Sequence, residues 1–339
     1  MAYKANYGIV RTPLFPFSNS FSIDFLELAQ SQLFIEAIYL SSPSLAGEIE
    51  KYRKGLTDSK DKEKLELSLY RYHLRAAYRC TPFGLFAGIS VGSVANQMAI
   101  QLSPTAQYQK HTYFDTHFLS SLAQHILKDE AVRGQLKWVA NNSIYGVANK
   151  LRFIEFRIDK ETRSHHLAKV DNSEFVQAVL NRAKRGATVT ELANALVKGE
   201  ISFEEAEGFV NEMINSCLLV SELEPMVTGN EYHVQLLKNL SNIPSAKLYF
   251  EKVQSLVTLL EETDQKGVGV SSECYEKIIN EVKHWQIDYD PGRLFQCDLL
   301  KPAVQCQISN QVMDELNKAI ALLEKITPSP NNTNFDSKV

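Results

Sequence analysis

Arg71, Arg75 and Arg79 stand four residues apart. Four residues advance a helix by about 400°, so the three guanidiniums would form one slowly drifting stripe. From residue 51 to residue 79 there are nine Lys and Arg against four Asp and Glu. Compensation by Glu63 and Glu66 is therefore incomplete. The stripe has two readings. It is a solvated basic face, or it is a clamp whose planar guanidinium forks hold phosphate or carboxylate in paired hydrogen bonds. Thr81-Pro82-Phe83-Gly84-Leu85-Phe86-Ala87-Gly88 follows directly. Pro82 pushes the residue before it out of the helical region, and Gly84 permits a tight turn. A hydroxyl and free N–H groups after an arginine helix suit an anion, although the same residues also serve as plain turn chemistry.

Two carboxylates join the list of candidates. Asp115 opens a helical pattern and reads most simply as an N-cap. Asp298 sits in the apolar run Leu294 to Leu300, where a carboxylate needs a partner. Other chemistry finds no residues. There is no GxGxxG, Walker loop, GxSxG or HExxH. His165-His166 has no further Cys or His at ligand spacing, so no metal site is expected. The five cysteines are odd in number and contain no CxxC, which argues against zinc ribbons and disulfide scaffolds. A reduced, cytoplasmic setting is expected. The net charge of −4 excludes a histone-like polyanion binder but not a local basic patch.

The elements that must position these residues follow from periodicity. In 339 residues with 44 % hydrophobic and 22 % charged content there is room for two domains and a sizeable core. No stretch of eighteen apolar residues occurs, so no membrane insertion is expected. An extended stretch at Tyr7 to Arg11 precedes a helix from Asp24 to Tyr39, with Ser22 as its cap. A second helix runs from Leu45 to Lys54. Asp58 to Asp61 reads as a solvated connection, and a long helix follows from Lys62 to Arg79. Leu85 to Val94 reads as a strand.

Ser143–Asn149, Leu151–Ile158 and His165–Val170 read as three strands. Three helices follow, Ser173–Arg185, Thr188–Leu196 and Ser202–Cys217, with Leu218 to Val220 as a wing. This order is that of a winged helix-turn-helix. Its third helix carries Glu204, Glu205, Glu207 and Glu212 and no Lys or Arg, so duplex DNA would repel it. Peptide binding is the better use: an extended guest could add to the edge of the third strand, at His166, Leu167, Ala168 and Val170. Phe209 and Met213 of the third helix would form the other wall. Helices at Ser245–Thr263, Glu273–Trp285 and Asn310–Ile326 complete the chain.

Arg11-Thr12-Pro13, Leu40-Ser41-Ser42-Pro43-Ser44-Leu45, the Arg75-to-Gly88 signature, Asp115 and Phe295-Gln296-Cys297-Asp298 resemble, in order, the N-terminal region of tRNA-dependent lantibiotic dehydratases. The resemblance implies an α+β fold: a mostly helical glutamylation-domain portion with small strands, interrupted by the winged helix. It divides the chain into 1–140 and 226–328 of the glutamylation domain, 141–225 as leader-peptide recognition element, and 329–339 as a disordered tail. In that family glutamate passes from glutamyl-tRNA to Ser or Thr of a precursor peptide and is then eliminated. Arg75, Arg79, Thr81, Asp115, Arg11 and Asp298 would belong to the catalytic site, and Arg71, Arg75 and Arg79 would contact tRNA. Glutamyl-tRNA is a co-substrate, and no cofactor is implied.

Members of the family are much longer, so the chain is expected to be a fragment or one polypeptide of a split system. Its partners would then be precursor peptide, glutamyl-tRNA, the missing C-terminal or elimination domain and, as an open option, a second copy in a homodimer. A non-catalytic peptide-binding module, a peptide aminoacyl-tRNA ligase component and a winged-helix transcription regulator are the alternative readings.

Overall fold

The computed structural model describes residues 6–17, 23–159, 162–197, 201–226, 228–287 and 289–327. In chain order the first elements are β1 (Tyr7–Pro13), α1 (Phe25–Gln30), α2 (Gln32–Ser41), α3 (Pro43–Arg53), α4 (Ser59–Tyr78), β2 (Ala87–Ala95), β3 (Ala99–Leu102) and β4 (Gln109–Phe114). Next come α5 (Thr116–Ile126), α6 (Glu130–Arg133), β5 (Trp138–Ala140), β6 (Tyr145–Val147), β7 (Lys150–Asp159), β8 (Thr162–Asp171), α7 (Glu174–Ala183), α8 (Val189–Asn194) and α9 (Phe203–Asn215). The last are β9 (Leu219–Ser221), α10 (Tyr232–Leu240), α11 (Lys247–Gln265), α12 (Ser272–Lys283), β10 (Phe295–Leu300), β11 (Ala303–Ser309) and α13 (Asn310–Ile326). The chain forms two compact units, Met1–Tyr113 with Leu260–Glu276 and Phe295–Val339, and Phe114–Leu259 with Lys277–Leu294.

The first unit is mixed, with α1 to α4 and α13 beside a six-stranded sheet. Its sheet runs β3-β11-β2-β10-β4, with β1 antiparallel to β2 along the other edge. Strands β10 and β11 run parallel to β2. The sequence concealed β3, β4 and β11 because they are short and carry Gln, Lys and His between their apolar residues. Gly88 and Gly92 make the close strand packing feasible. A Cβ on Gly88 would lie 2.7 Å from Lys301 Cγ, and one on Gly92 2.7 Å from Cys306 Sγ.

Helix ends are set by local hydrogen bonds. The single helix expected from Asp24 to Tyr39 is two, because Ser31 serves both: its N–H donates to Leu28 O at 3.2 Å and its Oγ accepts from Phe34 N at 3.4 Å. Ser22 lies outside the described residues, and Asp24 caps α1 instead. Asp58 caps α4 through Asp61 N at 2.8 Å, so the supposed connection there is the first turn of the helix. Leu65, Leu69 and Ala76 of α4 pack with Phe34, Ile38, Phe86 and Leu299 in this unit's core.

A buried charge network ties three remote segments of the first unit. Lys110 on β4 donates to Glu36 Oε1 on α2, and both side chains are fully buried. Tyr275 Oη donates to the same oxygen at 2.7 Å, and the backbone N–H groups of Gly269 and Val270 donate to Oε2. Each lone pair of the carboxylate has work, which is the condition under which a buried pair is tolerated.

The second unit holds the antiparallel sheet β6-β7-β8 followed by α7, α8 and α9. Thr188 with Glu191 and Ser202 with Glu205 form reciprocal capping boxes at α8 and α9. Leu151, Phe153, Val179, Leu192 and Val210 share one core. The strand expected as a wing, β9, pairs with β5 in a separate two-stranded sheet. The expected tail at 329–339 lies outside the described residues. No described helix is long and apolar enough to cross a membrane.

Glu36→Ala strands Lys110 without its counter-charge. It should lower unfolding free energy by about 3–5 kcal/mol in urea titration.

Candidate functional site

Helix α4 carries Arg71 and Arg75 but ends at Tyr78. Arg79 is its C-cap, with extended backbone (φ −113°, ψ 120°), and its N–H still donates to Arg75 O at 3.2 Å. The expected three-arginine stripe is thus two helical residues and a third that has left the helix on the way to Pro82. Arg79, Cys80, Thr81, Pro82 and Phe83 are all exposed. Gly84 adopts φ +51°, a left-handed conformation that disfavours any side chain, and Phe86 N donates to Phe83 O at 3.1 Å to close the turn.

The core reaches the arginines through a ladder of rings. Phe86 is fully buried and packs edge-on against Phe34 at 6.2 Å. Phe83 stacks on Phe86 at 6.0 Å, and the Arg75 guanidinium lies 4.1 Å above the Phe83 ring. A cation over an aromatic face at this distance is held in place. No carboxylate pairs with Arg71, Arg75 or Arg79 among the described residues. Arg75 Nε is buried without an acceptor. Burial first, and the charge of Arg79 second, lower the Arg75 pKa from its usual value. Two adjacent cations, one with an unused N–H and neither with a counter-ion, form a site that an anion would complete.

Arg11 and Asp298 flank the same strand from opposite sides. Arg11 pairs with Ile89 on β2, and Leu300, two residues after Asp298, partners Ile89 from β10. Alternation along a strand places Arg11, Ile89, Asp298 and Leu300 on one face of the sheet. Arg11 and Asp298 are exposed there. Asp298 points to the open face while Cys297 and Leu299 take the core side. Tyr113 Oη lies 3.4 Å from Asp298 Oδ2 and 3.3 Å from Gln296 Oε1. Asp115, in the second unit, is the N-cap of α5 and accepts from His117 N at 2.7 Å. Neither buried cysteine is a nucleophile at neutral pH, since burial raises Cys217 and pushes Cys297 up to about 12.

A family model described as "Lantibiotic dehydratase, N terminus" matches residues 30–337. The chain belongs to that family. It is 25 % identical over 232 residues to epidermin biosynthesis protein EpiB of Staphylococcus epidermidis, covering 65 % of this chain and 23 % of that one. It is 24 % identical over 260 residues to nisin biosynthesis protein NisB of Lactococcus lactis subsp. lactis, covering 75 % and 25 %. It thus spans about a quarter of the length of these relatives. Its fold is similar to that of the tRNA-dependent lantibiotic dehydratase MibB from Microbispora sp. 107891, with TM-score 0.76 and 21 % identity over 95 % of this chain and 31 % of MibB. The glutamylation domain TbtB from thiomuracin biosynthesis, bound to 5'-phosphodesmethylglutamycin, matches with TM-score 0.57 and 16 % identity over 88 % of this chain and 36 % of that one.

The chain places its expected peptide-binding residues unevenly. Strand β8 pairs with β7, its only neighbour in the sheet order, so one edge is open among the described residues. His166 is exposed, whereas Ala168, Val170 and Phe209 are partly buried against the unit's core. Leu167 is 59 % exposed on the opposite face of the strand, so it cannot share a wall with Phe209. Met213 is 3 % exposed and part of the core itself, on the same buried face of α9 as Val210 one turn before it. Both Leu167 and Met213 are therefore withdrawn from a groove between β8 and α9.

Sequence reasoning missed Phe83 as the platform for Arg75, and Tyr113 beside Asp298. It also missed Lys301, although a lone Lys after Leu299-Leu300 is the same signal that singled out Asp298.

Gly88→Ala would press a methyl within 2.8 Å of Leu299 O, beside the signature turn. Thermal or urea unfolding should show a loss of about 1–3 kcal/mol.

Proposed function

We propose that the chain is the part of a tRNA-dependent dehydratase that binds a precursor peptide and takes part in its glutamylation. The observation that carries the reading is the uncompensated Arg75–Arg79 pair at the Thr-Pro-Phe-Gly turn of a family member. In the transfer, a Ser or Thr hydroxyl of the peptide attacks the ester carbonyl of glutamyl-tRNA. A glutamyl ester forms on the peptide, and the ribose hydroxyl of the tRNA leaves with the proton. The step needs the two reactants held together and donors where the oxyanion develops.

Arg75 and Arg79 hold the phosphate of the tRNA terminus or the carboxylate of the glutamate, and Arg71 extends the basic track along α4. Thr81 offers a hydroxyl beside them. Arg11 and Asp298, in the same unit, are further contributors in the same reading. Glutamate elimination falls to residues outside this chain, and glutamyl-tRNA as co-substrate places the work in the cytoplasm.

In the same reading residues 141–225 are a winged helix-turn-helix that takes the leader peptide. The open edge of β8 supports it, since an extended peptide can add there by main-chain hydrogen bonds. His166, Ala168, Val170 and Phe209 are the side chains placed to read the peptide. The rest of the dehydratase fold is the partner we assign to α13. Along that helix Val312, Leu316, Leu322, Leu323 and Ile326 are exposed, none of its residues is buried, and about three quarters of each relative's length lies outside the match.

The test is mass-spectrometric detection of the glutamyl adduct on the precursor peptide, with glutamyl-tRNA and the polypeptide supplying the rest of the fold. Arg75→Ala and Arg79→Ala should each lower adduct formation by about tenfold or more. Unchanged adduct formation would sink the assignment of the arginines. Peptide affinity, read by fluorescence anisotropy, should fall about tenfold in Phe209→Ala and stay at the wild-type value in Arg75→Ala.

A further inference from the structure

The first unit holds a pocket of about 560 Å³, open to solvent on one side, against the end of β1. Phe15, Phe17, Leu33 and Tyr108 give it apolar walls. Lys301, between β10 and β11, also lines it and is only 2 % exposed. Its ammonium donates to Pro13 O at 2.5 Å and lies 5.1 Å from the Tyr108 ring centroid. An ammonium has three donors, so two have no hydrogen-bond acceptor among the described residues. No acid lines the pocket, and no carboxylate pairs with Lys301 among the described residues. Thr12 Oγ1, in the same lining, is buried without a hydrogen-bond partner.

The contrast with Lys110 is informative. That buried lysine has Glu36 in direct contact, the arrangement expected when a charge only holds the fold. Lys301 has a carbonyl and a ring, which leaves the positive charge in place. Burial lowers its pKa to about 8, so the ammonium form still prevails at neutral pH. A concave apolar pocket with few convergent polar groups is the usual form of a small-molecule site.

We propose that this pocket binds a small monocarboxylate with an aromatic or branched apolar body, its carboxylate held by Lys301 Nζ and Thr12 Oγ1. One ammonium and one hydroxyl match a single negative charge. A phosphate dianion would bring a second charge that the apolar walls leave unpaired. Cys80, between Arg79 and Thr81, lines the same pocket, so an occupant sits directly against the backbone of the arginine turn. The inference does not depend on the tRNA reading and needs neither tRNA nor precursor peptide for its test.

The experiment is calorimetric titration of the full chain at pH 7 with 3-phenylpropanoate and, separately, with its neutral amide. The acid should bind saturably and the amide about tenfold more weakly or worse. Lys301→Met should remove binding of the acid. Above pH 8 affinity should fall about tenfold per pH unit as the ammonium loses its proton. Beside the exposed Tyr78, the Cys80 thiol and the buried Tyr108 phenol are the other titratable groups lining the pocket. Burial raises the phenol's pKa, and Cys80→Ser should preserve the pH trend. Where near-UV circular dichroism shows Lys301→Met unfolded, Thr12→Val gives the same reading, with a several-fold loss of affinity for the acid. Equal binding of acid and amide, no saturable binding of the acid, or wild-type affinity in a folded Lys301→Met or Thr12→Val overturns the proposal.

Discussion

Strand β2 is the constraint on which the signature turn depends. It is paired along one edge to β1 and along the other to β10 and β11, segments from opposite ends of the sequence. Parallel pairing at such separation requires long crossover connections, here supplied by everything between β2 and β10. Close approach is possible because Gly88 and Gly92 present no side chain to Lys301, Leu299 and Cys306. The Thr-Pro-Phe-Gly turn is anchored by that strand on one side and by the last turn of α4 on the other. Leu14 N bonds to Phe86 O and Phe15 N to Ala76 O, so the N-terminal strand stitches both anchors together. The position of the arginines is thus a property of the whole sheet.

The first unit treats its cations in three ways, and the differences separate structure from function. Lys110 is buried and fully partnered by Glu36 and Tyr275, which closes α2, β4 and the loop before α12 around one network. Arg75 is half-buried, held by the Phe83 ring and left without an acid. Lys301 is buried with only a carbonyl and a ring for company. Desolvating a charge without a counter-charge is unfavourable, so the two incomplete sites are places where the fold retains a cost in stability.

The second unit shows the same logic in apolar form. Its core is closed by Val210 and Met213 of α9 against the sheet, and its acidic residues lie outside, with Glu205 and Glu191 spent on capping boxes. What it leaves open is backbone, the free edge of β8. Protein sheets normally cover or blunt such an edge, and an uncovered one is a place where another strand can add.

Much of this was legible from residue types alone. The Asp115 cap, the break at Pro82 and the extent of α13 are written in short-range spacing, because hydrogen bonds within three or four residues decide them. The family resemblance rested on the same local signatures. The short polar strands β3, β4 and β11 escaped, since their stability comes from neighbours far along the chain. Which face a residue takes was likewise undecidable from spacing: Asp298 turned outward, Met213 inward, and Leu167 to the far side of its strand. Local order belongs to the sequence because its forces act between near neighbours. The pairing of Lys110, the isolation of Lys301 and the exposure of Asp298 belong to the tertiary structure, because burial and charge depend on what long-range folding brings alongside.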